Sequence, residues 1–437
     1  MSPSTVGIIG ILIMLVIFVT RMPVAYVMTL VGLGGFSYLI SLEAGLNLLP
    51  RVFFDTFSSY ELTTIPLFVL MGQLAFNSGI SRRLYNTAYT FLGNTRGGLA
   101  MATVSACTAF GAVCGSSPAT AATMATVGIP EMKRFNYSSE LAAGSVASGG
   151  GLGMIMPPSV VLIIYGILTE QSIGALFVSG IFPAIMLTAL FILSIYVTCL
   201  LNPDKGPRGE RFSFIQRIRS LAGLADTVFI FAFVTAGLFF GFFTPTESAA
   251  VGVLAILLVS LLRRQLSWKA FVKSLNETLQ TSCMILFLVA GAVVFGKFLA
   301  VTRIPFDLAA WVGAFDLPPF LIISIIILIY FLGGCFMDSL GLIMLTIPIF
   351  FPIITNLGYD PLWFGIIIVL VTEMGVITPP VGINVYVVYG VAQNMMTGIT
   401  LESVFKGIVP FLFAVIAGII ILMIFPQIVV FLPNLVY

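Results

Sequence analysis

Apolar runs of membrane-spanning length, separated by short polar punctuation, extend along the whole chain. Long runs fall at 4–20, 24–41, 62–79, 138–168 and 174–201, and again at 222–243, 246–262, 278–300, 361–392 and 407–431. A hydrocarbon core about 30 Å thick takes about 20 residues of α-helix to cross. Each run therefore predicts a membrane helix. Two further apolar stretches, 98–130 and 319–355, are interrupted by Gly, Ser and Pro. Backbone that leaves a helix inside a bilayer must be satisfied by protein or by a water-lined cavity. These two stretches predict re-entrant helical hairpins.

Basic residues orient the spans. The connector 202–221 carries Lys205, Arg208, Arg211, Arg217 and Arg219, which places it in the cytoplasm. With 98–130 as a hairpin that does not cross, Arg21, Arg82, Arg83, Arg96, Lys133 and Arg134 also fall inside. Arg263, Arg264, Lys269, Lys273 and Lys406 follow them, and only Arg51, Lys297 and Arg303 remain outside. Both termini then lie outside the cytoplasm.

The two halves repeat. At a shift of 222 residues Pro23 meets Pro245, Gly111 meets Gly333, Pro130 meets Pro352 and Gly153 meets Gly375. The doublet Pro157-Pro158 meets Pro379-Pro380 at the same shift. Glycine and proline recur by chance in membrane helices, but a shared order that includes a Pro-Pro doublet favours duplication. The expectation is an all-α polytopic membrane protein of two repeats, 1–201 and 222–437, joined by the basic connector. Five crossings per half make the second repeat inverted, which places a binding site at the membrane midplane.

Composition agrees with this. Of 437 residues 59% are hydrophobic and 8% charged, against about 25% charged in soluble domains, and the mean hydropathy is +1.14. The net charge of +2 argues against nucleic acid. The absence of histidine removes His-based metal sites, Ser-His-Asp and Cys-His catalysis and histidine relays. Five cysteines without C-x-x-C spacing read as buried thiols. Charge follows the first apolar run instead of preceding it, so this run reads as a retained span and not a signal peptide.

Candidate chemistry sits where the hairpins and broken helices fall. Gly111 to Thr120 includes Ser116 and Ser117, and Gly149 to Ser159 includes Gly153, Met156, Pro157 and Pro158. Proline removes a donor and disfavours helix in the residue before it. The helix should break there and free carbonyls, which with serine hydroxyls suit an alkali cation. The plain alternative is a kinked helix with glycines for close packing. The second half offers Gly333, Gly334, Asp338 and Ser339, then Gly375, Thr378, Pro379, Pro380, Gly382 and Asn384. A carboxylate such as Asp338 in an apolar hairpin is a functional candidate that could ligate a cation, orient a ligand or pair with a base. Its bland reading is a charge at a wet hairpin tip. Glu373 is a second candidate without an evident partner, whereas Glu247 and Glu140 read as charges at helix starts.

Gly115-Ser-Ser-Pro-Ala-Thr120, Gly153-x-x-x-Pro-Pro-Ser159, Pro245-Thr-Glu247 and Gly375-x-x-Thr-Pro-Pro-Val-Gly382 together resemble the large membrane subunit of tripartite ATP-independent periplasmic (TRAP) transporters. The resemblance spans essentially the whole chain. It implies an elevator mechanism driven by inward Na⁺ in a bacterial inner membrane, with no other cofactor. It also implies a separate small four-helix membrane subunit, a periplasmic substrate-binding protein and a small organic anion, carboxylate or sulfonate, as cargo. By motif, one Na⁺ site comprises Gly153, Met156 and Pro158 with Ser116 or Ser117. The other comprises Gly375, Thr378 and Pro380 with Gly334 and Asp338. Thr120, Ser159 and Asn384 stand as substrate-binding candidates. Cys114 departs from the family where some members carry serine. Two readings compete: a self-sufficient Na⁺- or H⁺-coupled anion carrier of similar architecture, and an intramembrane enzyme. An aspartyl protease would need two carboxylates on facing helices, which leaves the duplication unexplained.

Overall fold

The computed structural model describes residues 2–18, 20, 22–314, 318–396 and 399–436, and among these it is helical without strands. Arg21, used above to orient the first span, lies outside the described residues. The first half begins with α1 (Pro3–Phe18) and α2 (Val24–Leu39), both expected. The amphipathic α3 (Leu42–Ser58) was not foreseen; the Ser41 hydroxyl caps it by accepting from Ala44 N at 3.1 Å. Next come α4 (Thr64–Asn77) and, after a 65° bend at Gly79, α5 (Ile80–Leu92). A hairpin of α6 (Gly98–Cys114) and α7 (Ser117–Arg134) follows, then α8 (Ser139–Ile155), α9 (Val160–Thr169) and α10 (Ile173–Leu201).

The connector holds a short helix, α11 (Phe214–Ala222). The second half contains α12 (Ala225–Phe239), α13 (Pro245–Leu262), the long α14 (Trp268–Thr302) and α15 (Ile304–Ala314). The second hairpin is α16 (Pro319–Gly334) with α17 (Ser339–Asn356), and α18 (Pro361–Ile377), α19 (Ile383–Ala392) and α20 (Leu401–Ile424) complete the series. Two short helices, α21 (Gln427–Val430) and α22 (Pro433–Val436), end the chain.

Among the described residues six helices are long and apolar enough to cross a membrane, or up to eight if each bent pair is one span. The ten long apolar runs suggested more. The difference lies in α1, α2 and α18, which have 16 or 17 residues each, and in apolar runs that the chain breaks or bends. At 18 residues α17 is itself long enough to cross, so length alone does not set the path of the second hairpin.

The core is built on two helices buried along most of their length, α8 from Leu141 to Ile155 and α18 from Trp363 to Ile377. Around α8 pack α6, α7 and α20, and around α18 pack α16 and α17. Tyr165 OH ties the halves together by donating to the Pro361 carbonyl at 2.6 Å, and within the second half Trp363 Nε1 donates to the Leu422 carbonyl at 2.9 Å. Outside this core large apolar side chains such as Leu12, Leu30, Phe229 and Phe413 are exposed, as expected where lipid replaces water. Cys283, expected to be buried, is exposed because it lies on the outer face of α14; the other four cysteines are buried.

The two helix-start glutamates behave as the sequence suggests. Glu247 closes a capping box: the Thr244 N–H donates to its Oε2 at 2.8 Å, and Thr244 Oγ1 accepts from Glu247 N at 3.3 Å. Glu140 sits in the first turn of α8 and takes a 2.8 Å ion pair from Lys205 in the connector.

Candidate functional site at the two hairpin tips

The first tip is a tight turn. Gly115 takes φ 63°, a left-handed conformation natural to glycine, and Ser116 is extended as the N-cap of α7. Pro118 falls in the first turn of α7, where its missing N–H leaves no bond unmade. Opposite this turn α8 stops at Ile155; Met156 is extended, the Pro157-Pro158 peptide is cis, and Ser159 caps α9. The chain between α8 and α9 is therefore non-helical, and the carbonyls before it lose their helical partners.

These pieces meet. A side chain at Gly153 would stand 2.5 Å from Thr120 Oγ1 and 3.2 Å from the Ser116 carbonyl oxygen. One at Gly115 would stand 2.6 Å from the Pro158 carbonyl oxygen. Ser116, Thr120, Gly153 and Pro158 are thus gathered in one place, with backbone oxygens as the principal donors. Ser117 is buried beside them, and Met156 is half-buried at the break.

The second tip repeats the plan with a longer turn. Asp338 caps α17, its Oδ2 accepting from Gly341 N at 3.0 Å. Helix α18 ends at Ile377, Thr378 is extended, Pro379-Pro380 is cis, and Gly382 (φ 62°) starts α19. Gly334 and Gly375 touch through their backbones: a side chain at Gly375 would come within 2.5 Å of the Gly334 carbonyl carbon. Val381 N donates to the Cys335 carbonyl at 3.3 Å, which joins the break to the hairpin turn. Gly334, Gly375, Thr378 and Pro380 are thereby brought close. As placed, the Thr378 hydroxyl donates to the Met374 carbonyl at 2.6 Å and the Asp338 carboxylate serves its own helix.

Both tips face one cavity of about 690 Å³. Ser116 and Ser117 line it from the first tip and Asp338 and Ser339 from the second, with Gln73 of α4 and Glu277 and Thr281 of α14 opposite. The candidates Gly153, Met156, Pro158, Gly334, Gly375, Thr378 and Pro380 lie behind the tips and not in the cavity wall. Thr120, Ser159 and Asn384, expected at the substrate, are also absent from the wall; each is fully buried. Ser159 caps α9 by accepting from Leu162 N at 3.5 Å. Asn384 donates to Ser117 Oγ at 2.7 Å and to the Ala147 carbonyl at 3.2 Å.

Gln73, Glu277 and Thr281 were not among the residues expected from the sequence. A signal for α14 was present: Ser274, Glu277, Thr278 and Thr281 recur at three- and four-residue spacing in an apolar run, a polar stripe on one helix face. Glu277 is paired with Lys273 at 3.6 Å, and the Lys273 ammonium lies 5.9 Å from the Phe76 ring centroid. Among the described residues no group of three Asp, Glu, Cys or His side chains could hold a metal ion. The donors at the tips are carbonyls and hydroxyls together with the Asp338 carboxylate, hard ligands that suit an alkali cation.

Comparison with known proteins places this arrangement. Residues 11–428 match the family described as Tripartite ATP-independent periplasmic transporter, DctM component. The chain is 35% identical over 382 residues to the C4-dicarboxylate TRAP transporter large permease protein DctM of Pseudomonas aeruginosa, covering 87% of this chain and 88% of that one. It is 30% identical over 419 residues to the sialic acid TRAP transporter large permease protein SiaM of Vibrio cholerae, covering 95% of each. Among solved structures the YdaH transporter of Alcanivorax borkumensis shares the fold, with a TM-score of 0.63, 13% identity and coverage of 89% of this chain and 90% of that one.

Proposed function

The chain belongs to the DctM component family of tripartite ATP-independent periplasmic transporters, and from that premise we propose that it is the membrane-embedded subunit of a Na⁺-coupled symporter for small organic anions, carboxylates or sulfonates. The family is one of multi-pass transporter permeases and not of enzymes. One observation carries the finer reading: the tips of two sequence-related helical hairpins line a single cavity.

In this reading the halves are inverted repeats, each hairpin is re-entrant, and both termini lie outside a cytoplasmic 202–221 connector in the inner membrane. The first Na⁺ site draws on Ser116, Ser117, Gly153, Met156 and Pro158. The second draws on Gly334, Asp338, Gly375, Thr378 and Pro380. An ion held between a hairpin turn and the break behind it stiffens the tip, and the stiffened tips shape the cavity for the anion. Hairpins and broken helices then move as one body past α2, α4 and α14, the elements across the cavity. A small membrane subunit completes the complex, and a periplasmic binding protein delivers the anion.

The test is uptake into proteoliposomes containing this chain, its small membrane subunit and the binding protein encoded with it. The cargo is the ligand that binding protein retains. External Na⁺ should support accumulation without ATP and external K⁺ should not. Equal uptake in Na⁺ and K⁺ refutes the coupling, and full uptake without binding protein favours the self-sufficient carrier.

A further inference from the structure

Behind the first tip lies a polar cluster that neither proposed ion site uses in full. Glu373, four residues before the end of α18, is 1% exposed; the Ser117 hydroxyl stands near its carboxylate, but neither oxygen makes a well-formed hydrogen bond. Its carboxylate lies against α8 at Gly151, where any side chain would overlap it. Asn384 of α19 is fully buried; its amide nitrogen is committed to Ser117 and to the Ala147 carbonyl, while its Oδ1 has no partner. The Ala147 carbonyl can only accept, which fixes the amide nitrogen on that side. Ser148, next to Ala147 and one helical turn before Gly151, is fully buried with an unpartnered hydroxyl.

We propose that Glu373, Asn384 Oδ1, Ser148 and Ser117 form a third monovalent-cation site, joining the first hairpin to the broken helix of the second half and taking Na⁺. The proposal rests on the Na⁺-coupled reading and adds an ion to it.

The chemistry follows from the donor count. Neighbouring buried positions on α7, α8, α18 and α19 offer two carboxylate oxygens, one amide oxygen and two hydroxyl oxygens. The single hydrogen of Ser117 Oγ, which already accepts from Asn384, serves only one of them. A buried carboxylate persists when it is paired or coordinates a cation. Among the described residues no basic side chain pairs with Glu373. On the helices packed around it, Glu140 of α8 is taken by Lys205, Lys406 of α20 pairs with Glu402 at 2.8 Å, and Tyr165 of α9 donates to Pro361. Glu140 lies 11 residues along α8 from Gly151, about 16 Å at 1.5 Å per residue. The buried tyrosine of α16, Tyr330, is enclosed by Phe350 and Phe364. One negative charge among neutral oxygens matches a monovalent ion better than a divalent one.

Ser117 gives the site its consequence. It is the one member that also lines the cavity, so an ion behind it holds the first tip against α18 and α19. Release of that ion frees the tip, which makes the site a latch between the halves.

The experiment measures the thermal stability of the purified full chain across Na⁺ concentrations, with choline holding ionic strength. It also measures Na⁺ ions carried per anion, from the reversal potential in reconstituted liposomes. Glu373→Gln preserves shape and removes the charge. It should lower the ion count by one and raise the Na⁺ midpoint of stabilisation about tenfold. Ser148→Ala, a milder change, should raise that midpoint about threefold with the charge intact. Wild-type count and midpoint in Glu373→Gln overturn the third site while leaving Na⁺ coupling in place. A wild-type midpoint in Ser148→Ala overturns it even if Glu373→Gln does not accumulate. Indifference of the wild type to Na⁺ overturns the coupling itself, and the site with it.

Discussion

The first tip turns in two residues, Gly115 and Ser116, whereas the second takes four, 335–338. Pro157 and Pro158 are buried, but Pro379 and Pro380, their equivalents, are exposed. The first tip is anchored from the other half by Asn384, which reaches across to Ser117, while Asp338 is held by its own helix. Positions that correspond in sequence therefore differ in enclosure. The break behind the first tip is part of the packed core, whereas the break behind the second is open, beside a turn that carries the half-buried Asp338. A motif that recurs in sequence is thus held in two ways, one frame set by packing and the other carrying a charge.

The largest expected effect tests the packed tip. Gly153→Val would push a branched side chain into Thr120 and the Ser116 carbonyl, and the carbonyl cannot retreat without moving the turn. Overpacking of this kind costs about 3 kcal/mol or more where backbone must shift. The yield of monodisperse protein in detergent should collapse. Pro380→Val, at the exposed break, should leave most of the yield intact. Equal losses in the two variants would show that the tips are equally enclosed.

The next effect tests the charged tip. Asp338→Asn keeps volume and an oxygen but removes the charge, so Na⁺ for half-maximal uptake should rise about ten- to hundred-fold, a loss of about 1.4–3 kcal/mol. Assembly should be unaffected. An unchanged Na⁺ requirement would return Asp338 to the role its geometry shows directly, a helix cap. Thr378→Val should weaken Na⁺ dependence somewhat less, about tenfold, and Thr378→Ser only slightly, because serine keeps the hydroxyl that Thr378 now gives to Met374. A similar loss with serine would mean that the methyl group, and not the hydroxyl, is what the site uses.

How much of this was legible beforehand differs along the chain. The tips and breaks were readable because proline and glycine act locally: Pro157-Pro158 ends α8 wherever α8 sits, and Gly115 turns the chain by its own φ. The helix-start roles of Glu140 and Glu247 were readable for the same reason. The third component of the cavity was not, since Gln73, Glu277 and Thr281 acquire meaning only when α4 and α14 pack across from the tips. Asn384 shows the limit most clearly. Its position beside a broken helix suggested a substrate contact, yet packing turns it toward Ser117 and Ala147 and leaves only its oxygen free. Sequence marks which residues can do chemistry; tertiary contact decides what each one faces.

The smallest effect is a control on the whole comparison. Glu247 and Thr244 lie at the start of α13, away from both tips, and are joined in a capping box. Thr244→Ala removes the hydroxyl that accepts from Glu247 N, a loss of about 1 kcal/mol for an N-cap. Glu247→Gln keeps a side-chain oxygen for the Thr244 N–H but removes the negative charge that favours a helix N-terminus. Both variants should melt slightly earlier, with Thr244→Ala the more affected. Neither should change the Na⁺ concentration for half-maximal uptake, because neither residue touches a tip or lines the cavity. Should Glu247→Gln raise that concentration while Asp338→Asn does not, the charge that governs Na⁺ lies at α13 and the contrast between a packed tip and a charged tip is wrong.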